Sequence, residues 1–221
     1  MLQATAIRFL KNLAKNNNKP WFDEHRKEYE AARSDFGVFI QSVIEEYGKT
    51  DPSIASLTAK ECLFRINRDI RFSKDKTPYK KNFAASINRG GKKSIFAGYY
   101  FNVEPGNSFV GGGIWMPMPA EMQKIRQEID YCWDEFKKII GSKKFIAVYG
   151  DLDKDAEISL TNIPKGYAKD NPAGEYLKLK SWIAMRAISD KELASEELLK
   201  LTVEAFKTMQ PLLAFLNRAI E

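Results

Sequence analysis

Phe83-Ala84-Ala85-Ser86-Ile87-Asn88, Ser94-Ile95-Phe96-Ala97-Gly98-Tyr99-Tyr100-Phe101-Asn102-Val103-Glu104 and Ser108-Phe109-Val110-Gly111-Gly112-Gly113-Ile114-Trp115 follow one another in the middle of a 221-residue chain. All three runs are short and rich in aromatic and β-branched residues. Arg89-Gly90-Gly91 and Pro105-Gly106-Asn107 punctuate them as turns. Such runs between glycine-containing turns read as strands, and their order reads as an antiparallel meander with its clearest hairpin at Pro105-Gly106-Asn107. Cys62 to Asn67 has the same character just upstream, and Ser181 to Ile188 has the look of a strand returning to the sheet.

On either side the apolar period changes from two to 3.6. Leu2, Ala6, Phe9, Leu10 and Leu13 mark a first helix that ends at Asn16-Asn17-Asn18. Pro20 opens a longer one whose stripe is Phe22, His25, Tyr29, Ala32, Phe36, Phe39, Val43 and Tyr47. After Pro117 and Pro119, Met122, Ile125, Ile129, Trp133, Phe136 and Ile140 repeat at helical spacing. Leu198, Leu201, Ala205, Met209, Leu212, Leu216 and Ile220 define a last amphipathic helix from Ser195 onward, which Pro211 should bend or divide. No repeat or low-complexity linker separates two halves. The expectation is one α+β domain over residues 1–221, a mainly antiparallel sheet with surrounding α-helices.

With 44% hydrophobic and 12% aromatic residues the chain can bury a core and is not mainly disordered. Met1 to Ala14 lacks the continuous apolar run of a signal peptide, and no run is long enough to span a bilayer, so a cytoplasmic protein without a membrane partner is expected. Two cysteines and one histidine cannot assemble a Cys/His zinc site, and no cofactor is implied. Cys62 and Cys132 read as small core residues, and His25 as a partly buried helix residue with a satisfied ring. Neither oligomeric state nor catalysis is specified.

Charge is where the chain is uneven. Lys60, Arg65, Arg68, Arg71, Lys74, Lys76, Lys80, Lys81, Arg89, Lys92 and Lys93 face only Glu61, Asp69 and Asp75, a net of +8 in a chain whose total is +6. A focused patch of one sign concentrates anions, which makes this window the candidate functional surface. Arg65, Arg68 and Arg71 recur every third residue among Phe64, Ile66, Ile70 and Phe72, and a guanidinium is a planar fork suited to phosphate or carboxylate. On a strand Arg65 and Arg71 would share a face opposite Arg68; a helical turn near Asn67 would bring all three together. The architectural alternative is that Arg68 or Arg71 pairs with Asp69, Asp75 or a remote carboxylate and pins the loop of Ser73 to Lys81.

The stretch from Leu63 to Lys81, with Trp21-Phe22, Gly111-Gly112-Gly113-Ile114-Trp115-Met116-Pro117 and Pro164-Lys165-Gly166-Tyr167, resembles the bacterial family of conserved hypothetical proteins described as domain of unknown function 2461. The resemblance spans nearly the whole chain and implies a single-domain α+β protein. It implies no activity and assigns no residue a role.

The residues therefore carry the functional reading. Arg65, Arg68, Arg71, Lys74, Lys76, Tyr79 and Lys80 are the candidate anion ligands, with Gly111, Gly112, Gly113 and Trp115 as a wall, for a phosphorylated or carboxylated small molecule. Three consecutive glycines imply close approach either of a ligand or of packed backbone. They are not a P-loop, which needs a Gly-Lys-Ser/Thr ending. An alternative is a nucleic-acid or acidic-partner module using the lysines, with Tyr79, Phe83, Tyr99, Tyr100 and Phe101 interleaved as stacking platforms. A minority reading is a metal-dependent phosphoesterase holding its ion on Asp69, Asp75 and Glu104.

Overall fold

In the computed structural model, which describes residues 1–221, the meander is β1 (Phe83–Ile87), β2 (Gly98–Val103) and β3 (Ser108–Ile114), and the returning strand is β4 (Trp182–Ile188). The strands hydrogen-bond in the order β1-β2-β3-β4 as an antiparallel sheet, and the architecture is α+β. Between β2 and β3, Gly106 takes φ 78° and the Asn107 N–H donates to Glu104 O at 2.8 Å. A type II turn requires a positive φ at its third position, which Gly106 supplies, and favours proline at the second, which is Pro105.

Helices α1 (Ala4–Lys15), α2 (Lys19–Glu24), α3 (Arg26–Tyr47) and α4 (Ala59–Cys62) precede the sheet. The stripe from Phe22 to Tyr47 is divided, because His25 leaves helical geometry at φ −100°, ψ 20°. Its Nδ1 lies 2.9 Å from Trp21 O, and its ring stacks on Trp21 at 4.0 Å. Cys62 to Asn67 is not the strand the sequence suggests. Cys62 closes α4, where Glu61 accepts the Thr58 N–H at 2.8 Å, and the following residues touch the sheet edge through a Leu63–Ala85 bridge and a Phe64 N–H to Ala84 O bond of 3.0 Å.

Between β3 and β4 run α5 (Pro119–Tyr131), α6 (Trp133–Ile140), α7 (Lys143–Tyr149) and α8 (Gly174–Leu177); α9 (Asp190–Leu193) and α10 (Leu198–Ile220) follow the sheet. The stripe from Met122 to Ile140 also breaks, at Cys132 with φ −111° and ψ 36°. In both cases the apolar face stays in register across the break, so periodicity alone reads straight through it. Pro211 lies inside α10 without dividing it.

The residues form two compact units. One comprises Met1–Lys93, Tyr100–Val110 and Ala187–Val203; the other comprises Ser94–Tyr99, Gly111–Arg186 and Glu204–Glu221. In the first, Phe9 of α1 meets Phe22, Tyr29 and Phe83, while Phe101 of β2 packs on Phe36 and Phe39 of α3 at 6.3 and 5.0 Å. In the second, Tyr99 stacks on Phe206 at 4.5 Å and Phe136 packs against Phe215 and Tyr176. Strand alternation sets the sides: Phe101 is fully buried, whereas Tyr100, one residue earlier, points the other way and stays partly exposed.

Candidate functional site

Ile66 to Lys80, within the first unit, folds back on itself. The Lys80 N–H donates to Ile66 O at 2.8 Å, the Arg68 N–H donates to Pro78 O at 2.9 Å, and Asn67 bridges Tyr79 in antiparallel fashion. The loop between these legs is braced from inside. Arg68 Nη1 donates to Asp75 Oδ2 at 2.6 Å, to Thr77 O at 3.0 Å and to the Thr77 hydroxyl, while Nη2 reaches Ser73 Oγ at 3.3 Å. The Thr77 amide and hydroxyl, and after them Arg68, hold the Asp75 carboxyl down at about 2 against the opposing effect of burial. Arg71 grips Asp69 with Nε at 3.0 Å and Nη2 at 2.6 Å, and its guanidinium lies 5.8 Å from the ring of Phe72, which is 95% exposed. Lys76 Nζ donates to Ile70 O at 3.0 Å.

The candidate anion ligands thus divide. Arg68, Arg71 and Lys76 are engaged by their own loop, which is the pinning arrangement. Tyr79 is core: it is buried, stacks on Phe22 at 4.0 Å, and exchanges backbone hydrogen bonds with the Asn17 side chain at 2.9 and 3.0 Å. Lys74 stands exposed on the loop.

Arg65 and Lys80 differ from the rest. Neither lies within ion-pair distance of a carboxylate. The Lys80 ammonium is half-buried, 5.2 Å from the ring centroid of Phe64, and burial followed by the positive charge of Arg65 lowers its pKa. Arg65 also acts through space on Asp69, as the weakest of the influences there, behind the two hydrogen bonds from Arg71. The Arg65 charge is thus near enough to disfavour the ammonium form of Lys80 and to favour the carboxylate of Asp69.

Beside this pair runs a row of rings. Phe64 lies 6.1 Å from Tyr100, and Tyr100 lies 5.8 Å from Phe109 with only 15° between their planes. All three are partly exposed, and burial raises the Tyr100 hydroxyl. Arg33 of α3 fixes the near end, its Nη1 donating to Phe64 O at 3.3 Å and to Tyr29 Oη at 3.2 Å. Sequence reasoning overlooked Arg33, Phe64 and Phe109. Arg33 lies outside the basic window, but strict alternation along the strands does separate Tyr100 and Phe109 from their buried neighbours.

In the second unit the three glycines bring strands together. A Cβ on Gly111 would sit 2.1 Å from Ala184 O, one on Gly112 2.7 Å from Gly98 O, and one on Gly113, at φ 124°, 2.0 Å from Trp182 O. Trp115 beyond them is 63% exposed, and the Met116 N–H donates to Ser181 Oγ at 2.9 Å.

The carboxylates of the phosphoesterase reading have separate partners: Asp69 has Arg71, Asp75 has Arg68 and Thr77, and Glu104 accepts from Asn107 Nδ2 at 3.4 Å. No three His, Cys, Asp or Glu side chains are grouped to hold a metal ion. Cys62 is a buried thiol pushed up to about 11, first by burial and then by Glu61, which is the opposite of nucleophile activation. No helix is long and apolar enough to cross a membrane.

A family model described as conserved hypothetical protein (DUF2461) matches residues 5–215. The chain belongs to that family. The DUF2461 match runs from α1 into α10, so the basic window, the row of rings and the glycine strand all lie inside it. No curated protein and no solved structure matches the chain.

Proposed function

We propose that this DUF2461 protein binds a phosphorylated or carboxylated small molecule at Arg65 and Lys80. The observation that carries the reading is a half-buried ammonium, Lys80, lying 5.2 Å from the ring centroid of Phe64 and within the influence of Arg65, with neither cation in an ion pair. A structural ion-pair network would supply the counterion from the chain, as it does for Arg68 and Arg71. Arg65 offers a fork and Lys80 a point charge, and an anion between them gains from both while restoring the proton affinity of Lys80.

Isothermal titration with inorganic phosphate, sugar phosphates and small carboxylates tests this. Binding is expected, weakened about tenfold by either Arg65→Gln or Lys80→Gln through loss of one charge-assisted bond. No heat from any of these anions at low salt overturns the proposal.

The nucleic-acid reading draws on Lys74, Lys76, Lys80, Lys81, Lys92 and Lys93, of which Lys74, Lys76, Lys81 and Lys93 are exposed. It requires an affinity that falls with salt by a log–log slope of about −0.9 per duplex phosphate engaged, and a gel shift with short oligonucleotides at low salt separates the two.

A further inference from the structure

We infer that the anion is the phosphate of a nucleotide, whose base lies on the row formed by Phe64, Tyr100 and Phe109; the inference rests on the anion reading above. Three facts meet here. The rings are neighbours, Phe64 and Tyr100 tilted by 43° at 6.1 Å and Tyr100 and Phe109 stacked near parallel at 5.8 Å, within the range of aromatic pair contacts. Their exposure is unlike that of the inward-facing rings of the same sheet: Phe101 is fully buried against α3, while Tyr100 and Phe109 occupy the alternate positions and keep part of their surface open. And the row ends at a cation, because Phe64 carries the Lys80 ammonium 5.2 Å from its centroid.

A planar ring joined to a dianion is the ligand that uses all of these together. Aliphatic phosphates and small carboxylates would occupy the cations and leave the rings bare. A phosphate dianion also matches two cations better than a singly charged carboxylate does. Arg33, bonded to Phe64 O, and the hairpin pairing of Ile66 with Lys80 hold ring and ammonium in place before any ligand arrives, which lowers the ordering cost of binding.

The test compares adenosine monophosphate, ribose 5-phosphate and adenosine by calorimetry on the full chain, with saturation-transfer NMR reporting which ligand protons touch the protein. Adenosine monophosphate is expected to bind about tenfold or more tightly than ribose 5-phosphate, in line with the effect of one base–aromatic stack. Phe109→Leu should remove most of that preference while leaving ribose 5-phosphate binding unchanged, and Tyr100→Phe, which keeps the ring, should preserve it. Saturation should pass to the base protons. Equal affinities for adenosine monophosphate and ribose 5-phosphate would overturn the nucleotide assignment and leave the anion site standing. Equal affinities for adenosine and adenosine monophosphate would overturn it from the other side, by removing the phosphate contact. Binding by none of the three, with the Lys80 titration unmoved, would overturn both readings.

Discussion

At Lys80, burial and a neighbouring guanidinium act in the same direction, and burial acts more strongly. Arg65→Gln should therefore raise the Lys80 pKa part of the way back toward 10.5, and saturating phosphate should raise it further; the Cε chemical shift of Lys80 followed against pH measures both. No movement on Arg65→Gln would show that the two charges do not interact. The stability effect has a definite sign. Between the folded and unfolded pKa values the unfolded chain binds more protons, so the penalty from Lys80 is present at neutral pH and is relieved as pH rises through its folded value. Glycine positions give a second prediction at this scale. Gly113 combines φ 124° with backbone at 2.0 Å from an added Cβ, whereas Gly106 has φ 78° and open space around it. Gly106→Ala should cost about 1–2 kcal/mol in urea unfolding, from strain alone. Gly113→Ala should cost more than about 3 kcal/mol, because a strand must move as well.

The element that the basic window builds is a cross-braced hairpin, and its bracing can be removed without touching the core. Arg68→Ala takes away four donated bonds inside one exposed loop. Global stability should change little, since the Asp75 partner is largely solvated. Locally, tryptic cleavage after Arg71 and Lys74 should become about tenfold faster and the amide of Thr77 should lose protection from exchange, because the loop opens independently of the rest. Unchanged cleavage would mean that the loop is held by something other than Arg68. Acid should reproduce the effect. The Asp75 pKa is depressed, so its bracing is fully present above the ordinary 3.8 and is lost as pH falls through about 2.

For the whole molecule we propose that the chain unfolds as a single domain. Strands β2, β3 and β4 and helix α10 each contribute residues to both compact units, so neither unit owns a complete set of elements. Phe101→Ala in one unit and Phe136→Ala in the other each delete a fully buried ring. Each should lower stability by about 3–5 kcal/mol. Both should shift the same denaturation midpoint, seen equally by far-ultraviolet circular dichroism and tryptophan fluorescence. Two separated transitions, with each variant moving only one, would show two independent domains.

The amino-acid sequence by itself determined the meander, the hairpin turn at Pro105-Gly106-Asn107, the returning strand near Ser181 and the amphipathic stripes, because period-2 and period-3.6 apolar patterns and turn residues are local properties of the chain. It also located the basic window. The breaks at His25 and Cys132 were invisible to it, since each leaves the apolar face in register. Which of these cations is engaged was decided by the folded structure. Arg65, Arg68 and Arg71 are chemically identical and evenly spaced, yet Arg68 and Arg71 found carboxylates within their own loop while Arg65 makes no ion pair and acts through space on Lys80 and Asp69. Whether a guanidinium serves as a brace depends on which carboxylates of the loop fold onto it, whereas the setting of Phe64 beside Lys80 comes from residues distant in sequence: Arg33 on α3 and Tyr100 on β2.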